Sequence, residues 1–156
     1  RTMKLVRCMP NTPAFVGEGC TGICVNETVS EEEKNYSLRL MESFGRADFI
    51  QERLIDAVGA VGGSSPAYVF MFIEAMADAG VAAGMPRKMA YEFAAQAVYG
   101  SAKLVLETGK HPGELKDMVC SPGGTTIEGV RVLEENGFRG AVMDALLAAV
   151  EKTKKL

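Results

Sequence analysis

The chain has 156 residues, of which 47% are apolar and 24% charged, the composition of an ordinary soluble globular protein with enough length for one good core. Lys and Arg number 17 against 20 Asp and Glu, a net charge of -3, so nothing draws the chain to nucleic acid and no polybasic stretch points to a membrane surface. One histidine and four cysteines, with no C-x-x-C spacing, leave little material for a zinc site, and no metal is expected.

Lys4–Met9 reads as a short strand, closed by the turn-forming segment Pro10-Asn11-Thr12-Pro13. Cys20–Val25 reads as a second strand. Cys20 and Cys24 lie four apart on it and face one side, so both thiols are expected to pack as small apolar groups, reduced, in a cytoplasmic protein. Ser30, with Glu33 three residues on, forms a capping box that opens a helix running to Phe44, and Ala47–Ile50 is a third extended piece. Three short strands and one helix make an incomplete sheet, whose apolar edges need neighbouring strands. With Arg1-Thr2 as its opening and no signal peptide, the sequence is expected to start partway through a larger protein.

From Glu52 the pattern is helical. A short helix is expected from Glu52 to about Val61, stopping at Gly62-Gly63, with Ser64 or Ser65 capping a long helix that carries Pro66 in its first turn and ends near Gly84. Further helices are expected from Pro86 to Thr108, from His111-Pro112 through Val119, from Thr125 to Glu135 and from Phe138 to Lys154. His111 reads as a helix-start residue rather than a general acid. The longest apolar run, Pro66–Ile73, falls short of the ~20 residues a bilayer needs. The two long central helices are apolar on nearly every face, and such helices must be buried all round. Burial against a second copy, in an intertwined homodimer, is the natural solution for a chain of this size.

Between two helices lies Ser121-Pro122-Gly123-Gly124-Thr125-Thr126. Paired glycines free the backbone, and the following helix aims its unpaired N–H groups at one spot, a start suited to a carboxylate or phosphate. A plain Pro-Gly turn with a Ser or Thr cap fits the same residues equally well. No Lys follows the glycines, which excludes a Walker loop. No dinucleotide fingerprint G-x-G-x-x-G is expected, since the candidate Gly59–Gly63 has neither the spacing nor the preceding strand.

The stretch Leu115 to Gly129, with Asp117-Met118-Val119-Cys120-Ser121-Pro122-Gly123-Gly124-Thr125-Thr126 at its heart, resembles the signature of pyrroline-5-carboxylate reductases. Arg7-Cys8-Met9-Pro10-Asn11-Thr12-Pro13, Leu54-Ile55-Asp56-Ala57-Val58, Ser65-Pro66-Ala67-Tyr68 and Lys110-His111-Pro112-Gly113 resemble further segments of that family, in family order. The resemblance implies a mainly α fold. Residues 1–50 would be the C-terminal remnant of a dinucleotide-binding Rossmann sheet, and residues 51–156 a helical dimerisation and substrate-binding domain with intertwined long helices. It implies NAD(P)H-dependent reduction of the imine of 1-pyrroline-5-carboxylate to L-proline, with NADPH or NADH held mainly by a domain outside this chain. Assembly of the homodimers into rings is left open, and the substrate is a small molecule. The substrate cleft would be formed by both domains, its helical part completed by the partner subunit.

By the same resemblance, Ser121, Gly123, Gly124 and Thr125 form a carboxylate cradle, using the N–H groups of Ser121, Gly124 and Thr125. Thr126 is the catalytic threonine whose hydroxyl faces the ring nitrogen. Glu52 matches a substrate-contacting glutamate, and its other reading is a first-turn carboxylate favourable to the helix dipole. Asn11 and Thr12 lie on the cofactor side of the cleft, where the alternative is a simple Asn-Thr-Pro turn. Met118 stands where some members place a cofactor-touching asparagine. The competing function is a non-catalytic module for dimerisation or small-carboxylate binding, and the isolated chain is expected to dimerise and to catalyse nothing.

Overall fold

A computed structural model describes residues 3–155. Its three strands are β1 (Val6–Met9), β2 (Gly19–Val25) and β3 (Gly45–Phe49), in the order β1-β2-β3. β1 and β2 run antiparallel, with Val6 opposite Val25 and Met9 opposite Gly22. β2 and β3 run parallel, from Gly19 opposite Gly45 to Ile23 opposite Phe49. A parallel neighbour needs a crossover, and α1 (Glu31–Glu42) supplies it. Its expected capping box is present: the Ser30 side chain accepts from the Glu33 N–H, and the Glu33 carboxylate accepts from the Ser30 N–H. The helix stops at Glu42, two residues before the expected Phe44, because Ser43 and Phe44 are drawn into the tight turn that feeds β3.

β2 is the central strand, and Thr21, Gly22, Ile23 and Cys24 on it are all buried. The expectation that Cys20 and Cys24 pack alike is corrected: Cys24 is buried and Cys20 exposed. β1 pairs only with residues 22–25, so Cys20 lies past the end of the neighbouring strand that covers Cys24.

The helical part also departs from expectation at one place. No break occurs at Gly62-Gly63. A 3₁₀ turn (Glu52–Leu54), α2 (Ile55–Val58), a π-turn (Gly59–Ser64) and α3 (Ser65–Ala82) run on as one helix of 31 residues, Glu52–Ala82. Glycine weakens a helix without ending it when the chain keeps helical angles, and Gly59, Gly62 and Gly63 all lack the positive φ of a stop. Nor does Ser65 cap a helix: its N–H donates to the Ala60 carbonyl five residues back, and its hydroxyl to the Val61 carbonyl. By length and composition alone this helix is long and apolar enough to cross a membrane.

The other boundaries follow local chemistry. α3 closes in a Schellman motif, with Gly84 at φ 98, its N–H on the Val81 carbonyl and the Met85 N–H on the Gly80 carbonyl. α4 (Arg87–Thr108) follows Pro86 and ends on Gly109 at φ 63. α5 (Pro112–Val119) is capped by His111, whose Nδ1 accepts the Gly113 N–H at 3.0 Å, a structural use of the only histidine. α6 (Thr125–Glu135) and α7 (Phe138–Thr153) complete the chain.

Two compact units result, one of residues up to Tyr68 together with those from Met143, the other Val69–Val142. The helix that starts at Glu52 stays packed on the sheet through α2, where Val58 lies against Gly22. In the first unit Ile23, Cys24, Val29, Ile55 and Ala60 are buried, and the Tyr68 hydroxyl donates to the Ala145 carbonyl. The core of the second unit is thin: Ala77 against Ala90 and Ala94, flanked by Ile73, Met76, Val81 and Met85. Small side chains bring α3 and α4 close and bury little area. Phe70, Met71, Phe93 and Leu106 are left between 63% and 68% exposed in the single chain.

Candidate functional site

The predicted site residues fall into two groups. In the second unit, α5 ends at Val119 and the chain turns through Ser121-Pro122-Gly123-Gly124 into α6. The Gly124 N–H donates to the Ser121 carbonyl at 3.0 Å, and Gly123 sits at φ 65. Proline second and a left-handed glycine third is the order of a type II turn. This refines the expected cradle, since the Gly124 N–H is spent inside the turn. Gly124 provides no side chain to cap α6, so the first-turn N–H groups of Thr125, Thr126 and Ile127 have no intrahelical acceptor, at the positive end of an 11-residue helix. A Cβ on Gly124 would sit 2.3 Å from the Ser121 Oγ and 3.1 Å from the Ser121 carbonyl oxygen, so the turn is tight on that side. Ser121, Gly123, Thr125 and Thr126 are exposed, and two hydroxyls stand beside the uncapped N–H groups. Such a constellation can receive an anion and offer a hydroxyl to a polar atom next to it. Met118, near the end of α5, is 65% exposed.

In the first unit, Glu52 opens the 3₁₀ turn that begins the long helix. Its Oε1 accepts from the Arg7 Nη1 on β1. Arg7 is the cross-strand partner of Cys24, whose thiol is pushed up by burial first and by the neighbouring Glu52 carboxylate second. Cys24 is thus a buried, un-ionised thiol rather than a nucleophile. Glu52 is therefore both a first-turn carboxylate and one arm of an ion pair. Arg7 went unnoticed in the sequence because 45 residues separate the partners. The available signal was that Arg7 begins one of the resembling segments and falls on the Cys24 face.

Asn11 and Thr12 sit at the 3₁₀ turn Thr12–Val16. Both polar atoms of the Asn11 amide are used internally: Nδ2 donates to the Gly62 carbonyl at 2.9 Å and Oδ1 accepts the Cys20 N–H at 2.8 Å. Thr12 is exposed. The fingerprint expectation also needs correction, because the string G-x-G-x-x-G does occur, as Gly17-Glu18-Gly19-Cys20-Thr21-Gly22. Its surroundings are wrong for a dinucleotide. It follows a 3₁₀ turn and runs into β2, whereas a pyrophosphate needs a strand before and a helix N-terminus after. Gly17 ends the 3₁₀ turn at φ 77, and the other two glycines serve packing: a Cβ on Gly19 would meet the Phe44 carbonyl oxygen at 2.9 Å, and one on Gly22 would meet Ile50 Cδ1 at 2.7 Å and Val58 Cγ1 at 3.0 Å. The described residues do not form a dinucleotide cradle.

Comparison with known proteins gives a consistent picture. The family model described as pyrroline-5-carboxylate reductase dimerisation matches residues 52–156. The pyrroline-5-carboxylate reductase of Escherichia coli (strain K12) is 62% identical over 153 residues, covering 98% of this chain and 57% of that protein. That of Glycine max is 46% identical over 153 residues, with 98% and 56% covered. Among solved structures, the pyrroline-5-carboxylate reductase of Coxiella burnetii matches with a TM-score of 0.93 and 38% identity, over 97% of this chain and 57% of that one. The Plasmodium falciparum pyrroline carboxylate reductase with NADP bound matches with a TM-score of 0.91 and 40% identity, over 97% and 61%. The chain thus spans little more than half the length of the curated relatives it matches.

Proposed function

Because the chain belongs to the pyrroline-5-carboxylate reductase family, we propose that it is the helical, substrate-carboxylate-binding part of an enzyme that reduces the imine of 1-pyrroline-5-carboxylate to proline. The observation that carries this reading is the uncapped start of α6 behind the Ser121–Gly124 turn, with the Thr125 and Thr126 hydroxyls beside it. The N–H groups of Thr125 and Thr126 take the substrate carboxylate, where the helix dipole favours negative charge. The Thr126 hydroxyl faces the ring nitrogen and orients it. A threonine hydroxyl is too weak an acid to act unaided near neutrality, so water supplies the proton through it. As the family resemblance implies, Glu52 is a further substrate contact, its carboxylate suited to a ring nitrogen that is cationic when protonated. A nicotinamide nucleotide supplies the hydride, held by sequence that the relatives carry beyond the matched region. The described residues form no cradle for that nucleotide, so the chain by itself is expected to turn nothing over.

The exposed apolar faces of α3 and α4 support a homodimer, in which a second copy covers Phe70, Met71 and Phe93 by interleaving its own helices. All four cysteines are free, which suits the reducing cytoplasm that this reading assumes.

The direct test is a chimera in which this chain replaces the matching 57% of the Escherichia coli relative. The chimera should form proline from pyrroline-5-carboxylate and NADPH, and Thr126→Ala should lower kcat by at least about tenfold. Near-normal kinetics in that variant would remove Thr126 from the mechanism. A folded, dimeric but inactive chimera would overturn the reading as a whole. Sedimentation of the isolated chain as a monomer at micromolar concentration would sink the dimer.

A further inference from the structure

Directly opposed residues of an antiparallel pair share one face of the sheet, and Arg7 stands opposite Cys24 on the face that Glu52 enters from its 3₁₀ turn. With Leu5, Val25 and Asn26, these three side chains line a concavity of about 350 Å³. The Arg7 guanidinium holds the Oε1 of Glu52, and the Cys24 thiol lies beside the same carboxylate as a second, weaker donor. A glutamate on a surface turn has three side-chain rotors to immobilise before it can aim a charge. Arg7 does this from a strand, which is the more rigid support. Both side chains are more than half exposed, at 54% and 61%, so the pair adds little to folding. Its consequence lies in where the carboxylate points.

We propose that Arg7 is a positioning residue, whose guanidinium pins the Glu52 carboxylate in the orientation in which it meets the protonated ring nitrogen of the substrate. The proposal rests on the assignment of Glu52 made above. It adds a group that touches neither substrate nor cofactor and acts only through Glu52.

Steady-state kinetics on the same chimera, with pyrroline-5-carboxylate varied, test it through four variants. Glu52→Gln and Arg7→Met should each lower kcat/KM by at least about tenfold, the scale of a misplaced binding group, with thermal melts close to the parent. Arg7→Lys, which keeps the charge at a similar reach, should recover most of the loss. The exchange Arg7→Glu with Glu52→Arg re-forms an ion pair but puts a cation where the substrate needs an anion, and should stay at least as impaired as Arg7→Met. Recovery of the exchanged protein to within about threefold of the parent would show a pair that merely fastens strand to helix, and would overturn the proposal. So would an Arg7→Met variant with parental kcat/KM beside an impaired Glu52→Gln, an outcome that leaves the role of Glu52 standing. Parental kinetics in Glu52→Gln would instead remove Glu52 from the substrate site, and this inference with it.

Discussion

Asn11 and Gly62 are joined side chain to backbone. The Asn11 Nδ2 donates to the Gly62 carbonyl at 2.9 Å, and the same amide's Oδ1 accepts the Cys20 N–H at 2.8 Å. Gly62 lies in the π-turn that connects α2 to α3, and Cys20 lies in β2. One amide therefore fastens the loop after β1 to the central strand and to the long helix at once.

Removal of that fastening should register as lost stability. Asn11→Ala gives up two hydrogen bonds, each contributing about 1 kcal/mol net, so urea unfolding of the chain should show about 2 kcal/mol lost. An Asn11 whose main business was the cofactor would instead leave unfolding unchanged and raise KM for NADPH in the chimera.

Thr21 is the opposite case. Its hydroxyl is buried in β2 with no hydrogen-bond partner among the described residues. Thr21→Val keeps the shape and removes the stranded polar atom, so it should raise unfolding stability by about 1 kcal/mol. A destabilised variant would mean that the hydroxyl has a partner after all, a trapped water being the first to look for in a crystal structure.

Glu33 links acid to stability. Its carboxylate accepts from the Lys4 Nζ at 2.6 Å and from the Ser30 N–H and hydroxyl at 2.8 and 2.9 Å, and Lys4 first, then Ser30, hold its pKa down to about 2 from an ordinary 4.5. A group depressed on folding stabilises the fold above its unfolded value and loses that contribution as pH falls through the folded one. The stabilisation is thus whole above 4.5 and gone below about 2. Glu33→Gln should melt below the parent near neutrality, and the gap should close across that acid window. An unchanged gap at the acid end would rule out the linkage.

Gly123 tests the turn before α6. At φ 65 any side chain with a Cβ is strained, so Gly123→Ala should cost about 1 kcal/mol or slightly more. Under the proposed function it should also weaken proline binding to the chimera several-fold by calorimetry, because the turn aims the start of α6. Full binding with reduced stability would separate the turn's fold from its function.

Local chemistry was legible in the sequence and distant pairing was not. The capping box of Ser30 and Glu33, the stops at Gly84 and Gly109 and the start of α6 each depend on residues within a few positions, and all appear as expected. Gly62-Gly63 misled because glycine permits a break without requiring one, and burial of the helix against the sheet through Ile55 and Ala60 carries the chain straight on. The different fates of Cys20 and Cys24 turned on the length of β1, a property of the partner strand. Arg7 and Glu52 form a pair that only the folded sheet brings together. In the candidate loop, the residues announced a helix start, but the loss of the Gly124 N–H to Ser121 needed the turn's geometry.

The Gly59–Ser64 π-turn stores one residue of slack inside an unbroken helix. A π-turn holds one residue more than the α-turn it replaces, and the wider turn takes up that residue's rotation. Deleting a single glycine there would therefore let an ordinary α-turn close in its place. Tyr68 would then still reach the Ala145 carbonyl it now meets. The three glycines make this segment the place where the helix can lose a residue and remain one helix.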